Sequence, residues 1–169
     1  MYYMAYGSNL HPGRLRDRVP TAELCGATTI AGWRLEWHKR SYDGSAKCSI
    51  VRATGNSLLC VAVYEFERDH LHLLDTAEGL GNGYEHFELN VTGFGTCLTY
   101  RAQTTHIDET LKPYEWYKEF VLLGCEHHGF DGPYLEEIRT VTHCDDPEPN
   151  RHSRHMARIA QLQSGQRSS

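Results

Sequence analysis

Hydrophobic and polar positions change period several times along this chain, and each change predicts an element. Residues 2–6, Tyr-Tyr-Met-Ala-Tyr, are aromatic and apolar throughout and predict a short buried strand. Gly7, Ser8 and Asn9 end it, and Ser8 or Asn9 is a suitable cap for a short helix over 10–18 with Pro12 in its first turn. Residues 27–38 alternate after Gly32, with Trp33, Leu35 and Trp37 on one side, the period of a half-buried strand. Two further strands, 48–53 and 58–66, flank the turn-forming Thr54-Gly55-Asn56-Ser57. Helical spacing then takes over, with Leu71, Leu74 and Ala77 predicting a helix over 67–78 that stops at Gly79.

Beyond a glycine-rich loop at 79–83, Tyr84–Thr92 and Thr96–Gln103 read as a strand pair around Gly93-Phe94-Gly95. Trp116, Phe120 and Leu123 share one face of a helix over 113–128 that Gly129 ends, and a second short helix covers 133–143. From Asp145 the chain turns polar. We expect one domain over 1–147 and a polar, partly disordered tail over 148–169, weakly helical at 153–163 and disordered in its last six residues. Strands that neighbour one another in sequence, with helices inserted and no βαβ alternation, predict an α+β fold.

Composition narrows the partners. The 169 residues suffice for one hydrophobic core. The net charge of −5, with basic residues scattered among acids, makes no field suited to nucleic acid. No apolar run approaches the ~20 residues of a membrane span. Six cysteines, none closer than Cys48 and Cys60, lack the C-x-x-C pair of a zinc site, and the opening MYYMAYGSNL has no basic n-region. Free thiols and a cytoplasmic location are the expectation. No metal is expected: the dispersed histidines, including His127-His128, read as structural or surface residues. Arg14, Arg16 and Arg18 read as a solvated helix face, with Arg14 near any site.

Two places carry candidate chemistry. A tight turn leaving a buried strand exposes successive backbone N–H groups, which suits a carboxylate or polarised carbonyl, and at Tyr6-Gly7-Ser8-Asn9-Leu10 the glycine permits close approach. Glu78 stands at the junction of an apolar helix and a glycine-rich loop, where half-burial raises a carboxyl towards values useful for proton transfer. Taken separately, the first is also an ordinary capped turn and the second an ordinary helix-end glutamate.

Together with their neighbours they carry a resemblance. MAYGSNL, the IVRATG and VAVYEF strands, LLDTAEG, the following Gly83-Tyr84 and the late Tyr-Glu-Trp-Tyr-Lys-Glu-Phe resemble the gamma-glutamylcyclotransferase (AIG2-like) superfamily over about 1–140. That resemblance implies a small closed mixed β-barrel with helices packed around it and a cavity at one end. It also implies that residues 6–10 hold a γ-glutamyl group through backbone amides and that Glu78 is the acid–base catalyst. Tyr84 and Tyr117 then complete the substrate site, Tyr114 being a competitor for the last role. The implied reaction releases 5-oxoproline from a small-molecule γ-glutamyl substrate, with no cofactor, in a monomer or homodimer. Loops 39–47, 79–83 and 104–112 would select the leaving group, and Asn9 departs from the YGSL-type opening of the glutathione-specific branch. The alternative is a non-catalytic module binding a small acidic ligand on the same fold.

Overall fold

The structure is a computed structural model that describes residues 1–130 and 132–166, Gln166 by its backbone alone. Strand β1 (Tyr2–Ala5) leads through a turn to α1 (Pro12–Arg16), followed by β2 (Glu23–Ala31), β3 (Trp33–Arg40), β4 (Ala46–Arg52) and β5 (Leu58–Glu65). After a single 3₁₀ turn at Arg68–His70 come α2 (Leu71–Glu78), β6 (Tyr84–Val91) and β7 (Gly95–Ala102). Three helices close the order: α3 (Glu115–His127), α4 (Gly132–Thr140) and α5 (Pro149–Gln166). The α+β class read from the sequence holds.

Five strands form one mixed sheet in the order β2-β5-β1-β7-β6, parallel only between β1 and β7. The Leu59–Tyr64 run of β5 is buried without alternation, as a strand covered on both faces must be. On β6, by contrast, burial alternates. Met4, Val61, Val63, Tyr64, Leu74, Phe120 and Leu123 meet in the core.

The expected closed barrel is not what the hydrogen bonds build. The sheet is open at β2 and β6, while β3 and β4 form a separate hairpin. The cause lies at Gly32, whose φ of +75° breaks the expected 27–38 strand into β2 and β3. The second piece turns away to pair with β4. The hairpin then packs beside β5 and β7, joined to them not by a ladder but by contacts such as the bond from the Ala102 amide to Ser49 Oγ at 3.0 Å.

The polar tail contains α5, a helix longer than the 153–163 stretch and docked on α3, with Ile159 and Leu162 in the core. Asp146 anchors its start by accepting from Trp116 Nε1 (2.7 Å) and from Arg151 Nε (2.6 Å). Of the last six residues, 164–166 belong to α5 and 167–169 lie outside the described residues. All six cysteines are free, Cys25 and Cys144 exposed and the others buried. Among the described residues no helix is long and apolar enough to cross a membrane.

The seating of α5 makes stability depend on pH. His155 stacks on Trp116 with ring centroids 4.0 Å apart, and buried His11 lies 4.6 Å from the His127 ring. Burial pushes both His11 and His155 from 6.5 down to about 4. The unfolded chain therefore binds protons first, so stability is complete above about pH 6.5 and falls as the pH drops towards 4. Asp146, held below the usual carboxylate range by Arg151, titrates below that window. Glu119, pushed up by burial, opposes the trend, while His38, His127 and His128, lowered by burial, reinforce it. The thermal unfolding midpoint is expected to be lower at pH 5 than at pH 7.5, and a His155→Phe variant should lose part of that difference.

Candidate active site

The site begins where β1 delivers its chain end. The Leu10 amide donates to the Gly7 carbonyl at 3.0 Å, closing a β-turn over 7–10. Such a turn cannot satisfy its two central amides, and among the described residues no protein oxygen accepts from Ser8 or Asn9 N–H. Ser8 and Asn9 are nevertheless only 6% and 4% exposed. The turn is held from behind: Tyr64 Oη donates to the Leu10 carbonyl, and His128 Nε2 lies 2.7 Å from the same oxygen. A side chain at Gly7 would put its Cβ 3.1 Å from Cys48 Cβ and 3.5 Å from Tyr117 Oη, so glycine is what lets this backbone come against the wall opposite. Neither Ser8 nor Asn9 caps the next helix. His11 does, its Nδ1 accepting from the Gly13 amide at 3.0 Å.

Helix α2 ends at Gly79 in the left-handed region (φ +68°), where the Leu80 amide bonds back to the Asp75 carbonyl at 2.9 Å. That ending turns Glu78 towards the β1 turn. Glu78 Oε1 accepts from Asn9 Nδ2 at 2.8 Å and pairs with Arg18, whose guanidinium also donates to Asn9 Oδ1 at 2.7 Å. Asn9 Nδ2 further reaches Tyr3 Oη at 3.0 Å. The network accepts only one orientation of the Asn9 amide, since a flip would turn NH₂ onto the guanidinium. Side chains of Arg18 and Glu78 are 17% and 15% exposed, so water screens the pair weakly. Among the described residues no donor meets Glu78 Oε2.

The expected solvated arginine face is therefore only partly solvated. Arg18 pairs with Glu78. Arg14 is half-buried with its guanidinium 4.1 Å above the Phe120 ring, and desolvation pushes it down to about 9.

Glu78 and the turn line one narrow hollow, about 270 Å³ when the space open to solvent at its mouth is included. Tyr6, Gly7, Ser8 and Asn9 form one wall, while Tyr84, Tyr117 and Cys48 form another. Tyr6 Oη donates to the Tyr100 carbonyl and Tyr84 Oη to the Cys48 carbonyl, both at 2.5 Å. Tyr117 Oη accepts from the Cys48 amide at 3.0 Å. Burial pushes these phenols and the Cys48 thiol well up, which keeps them neutral donors at physiological pH.

Of the residues singled out in the sequence, Tyr6, Gly7, Ser8, Asn9, Glu78, Tyr84 and Tyr117 thus come together. Leu10 does not line the hollow; it is fully buried and anchors the turn. Tyr114 also stands aside, its Oη donating to the Asp43 carbonyl at 2.7 Å. Sequence reasoning missed Tyr3, Cys48 and Tyr100 in the wall and Arg18 beside Glu78. No local motif marks any of them. Among the described residues no group of three or more His, Cys, Asp or Glu side chains is placed to hold a metal.

With this geometry in hand, similar proteins are informative. No protein-family profile matches the chain. A gamma-glutamylcyclotransferase of Mus musculus is 27% identical over 157 residues, spanning 88% of this chain and 79% of its own. One of Homo sapiens is 26% identical over 156 residues with the same coverage. A solved structure described as a gamma-glutamyl cyclotransferase superposes with a TM-score of 0.75 at 23% identity, covering 88% of this chain and 91% of its own, a likeness of fold.

Proposed function

Because the chain belongs to the gamma-glutamylcyclotransferase (AIG2-like) superfamily, we propose that it cyclises a γ-glutamyl compound to 5-oxoproline and releases the attached amine or amino acid, with Glu78 as the acid–base catalyst. One observation carries the reading: Glu78 lines the same hollow as Ser8 and Asn9, the two turn residues whose amides are unpaired among the described residues.

The substrate supplies its own nucleophile. Its α-ammonium gives a proton to the free Glu78 Oε2, and the resulting amine attacks the γ-carbonyl carbon to form the ring C–N bond. Glu78 returns that proton to the leaving nitrogen as the old C–N bond breaks. The second proton shed by the cyclising nitrogen departs with the leaving amine as its ammonium. No water enters and no acyl-enzyme forms. Arg18 and Asn9 occupy Oε1, which fixes the carboxylate plane and leaves one oxygen for proton transfer. Ser8 and Asn9 amides are suited to the substrate's α-carboxylate or to the developing oxyanion.

Magnitudes favour such a spare site. Well-oriented intramolecular attack reaches effective molarities of roughly 10⁵–10⁸ M, about 7–11 kcal/mol of barrier. A narrow hollow walled by buried tyrosines therefore has as its main task to bend the glutamyl chain back on itself. Acid–base help adds about 10²–10⁴-fold. Cys48 is no rival nucleophile, because burial keeps its thiol protonated. Six free thiols support work in a reducing compartment such as the cytoplasm.

Incubation with a panel of γ-glutamyl amino acids, peptides and amines, read by release of 5-oxoproline, tests the proposal. Release from at least one class is expected. Ligand binding without any 5-oxoproline would instead identify a binding module.

A further inference from the structure

Asp75 is a carboxylate for which the proposed chemistry has no use. It stands one helical turn before Glu78 on α2 and does not line the hollow. Its Oδ1 nevertheless takes two short bonds: Tyr100 Oη donates to it at 2.6 Å, and His86 Nε2 lies 2.6 Å from the same atom. A carboxylate oxygen can only accept, so that His86 nitrogen carries a proton and donates it. Three elements build the junction. His86 of β6 and Tyr100 of β7 stand directly opposite in register with their rings 5.4 Å apart, and α2 supplies Asp75 to both. The three differ in access: the His86 and Asp75 side chains are 36% and 23% exposed, whereas Tyr100 is 2% exposed. An ion pair at the surface contributes little by itself. This one ends on a phenol in the wall of the hollow.

Where a phenol sends its proton decides what its oxygen shows to a ligand, since a hydroxyl has one proton and two lone pairs. Tyr6 and Tyr84 give theirs to the backbone carbonyls of Tyr100 and Cys48, acceptors that stay in place whatever the side chains. Tyr117 is the opposite case, because its oxygen accepts from the Cys48 amide and, among the described residues, its proton has no acceptor. Tyr100 gives its proton to Asp75, an acceptor that one substitution removes. Of these four, only Tyr100 has its polarity set by a side chain from outside the hollow. With Asp75 in place, a group that reaches Tyr100 Oη from the hollow finds lone pairs. Without it, the freed proton can rotate and meet that group as a donor. Desolvation and the Asp75 bond together push the Tyr100 phenol well up, so the proton stays on the oxygen.

We propose that Asp75 is a positioning residue, which by holding the Tyr100 proton away from the hollow makes Tyr100 Oη an acceptor for the substrate's α-ammonium. The inference rests on the cyclotransferase reading above and adds to it a residue outside the hollow. The ammonium gives one N–H to Glu78 Oε2 and has two more to place. Tyr100 Oη takes one of them, and the charge of Asp75 behind it polarises the phenol into a better acceptor. His86 holds the Asp75 carboxylate from the more exposed side. Each bond in the chain from ammonium through Tyr100 and Asp75 to His86 then has one donor and one acceptor.

γ-Glutamyl-alanine and glutaryl-alanine differ only by the α-amine, and their calorimetric binding to a Glu78→Gln protein measures ammonium recognition without chemistry. That protein should prefer the first by ~10- to 100-fold, the range of a charge-assisted hydrogen bond. Adding Asp75→Ala should shrink the preference by about tenfold. Asp75→Asn, whose amide oxygen can still accept from Tyr100, should keep most of it. Asp75→Leu, similar in volume and unable to accept, takes the place of Asp75→Ala if that variant does not fold. A residue that merely supported the end of α2 would act alike whatever stood at position 100. In a Tyr100→Phe background Asp75→Ala should instead change the preference no further, a non-additivity that a route through Tyr100 produces. A preference untouched by Asp75→Ala, one lowered equally in both backgrounds, or one kept in full by Tyr100→Phe overturns the proposal. An Asp75-dependent preference without 5-oxoproline release by the wild-type protein would sink the cyclotransferase reading and leave the Asp75 assignment standing. Release with a preference indifferent to Asp75 would do the reverse.

Discussion

Glu78→Gln is expected to lower kcat for 5-oxoproline release by about 10²–10⁴-fold, the contribution of a positioned acid–base group. Glutamine keeps an oxygen to accept from Arg18 and Asn9, so the bonds that now end on Oε1 can survive and the turn can hold its shape. What vanishes is the acceptor at Oε2, the only part of the side chain that can take a proton from the substrate's ammonium. Binding of a γ-glutamyl compound should therefore persist, measured by calorimetry, while product formation collapses. Circular dichroism should match the wild type. Turnover at the wild-type rate would remove Glu78 from the chemistry and transfer the search for a base to another group in the hollow, where the remaining ionisable walls are tyrosines and Cys48, all kept neutral by burial.

How far the site could be read from the sequence follows from which contacts are local. The 7–10 turn and the Glu78-Gly79 helix end are each made by a few adjacent residues, and glycine's backbone freedom announces both. Their meeting across 69 residues, Asn9 to Glu78, has no local cause and became legible only through the family resemblance. Arg18 illustrates the remainder. It differs from Arg14 and Arg16 only in its place, two residues past the end of α1, where its guanidinium meets Glu78 from 60 residues away in sequence. Tyr3, Cys48 and Tyr100 reach the wall from three different strands, β1, β4 and β7, so no motif could gather them.

Fold-level errors have the same character. Alternation identifies a strand but not its partner, which is why the β3–β4 hairpin and the open sheet could not be told from a closed barrel. A single glycine within an alternating run is compatible with a bulge or a break, and Gly32 makes the break. Helix α5 was obscured by composition: Met156, Ile159 and Leu162 recur every three residues in an otherwise polar stretch, a stripe narrow enough to resemble a solvated tail.

Gly124→Ala is expected to destabilise the protein even though alanine is the better helix former by about 0.8–1 kcal/mol. Gly124 lies in α3 directly behind the β1 turn. A Cβ there would stand 2.3 Å from Leu10 Cβ and 3.0 Å from the His11 amide nitrogen. Neither atom can rotate away, because one is a Cβ and the other is backbone. The turn cannot retreat freely either, with the Leu10 carbonyl held by Tyr64 and close to His128. Overpacking of this kind costs about 1–3 kcal/mol, which outweighs the gain in propensity. At this chain length each 1 kcal/mol moves the melting midpoint by roughly 2–4 °C, so a loss of several degrees should be measurable. The displaced turn should also weaken substrate binding, raising KM more than it lowers kcat. Gly165→Ala supplies the control, since among the described residues a Cβ at Gly165 in α5 meets nothing within 4 Å, and the same substitution there should cost less than at Gly124. Equal stability of the two variants would mean that α3 does not press on the turn, and that the two amides at Ser8 and Asn9 owe their position to β1 alone.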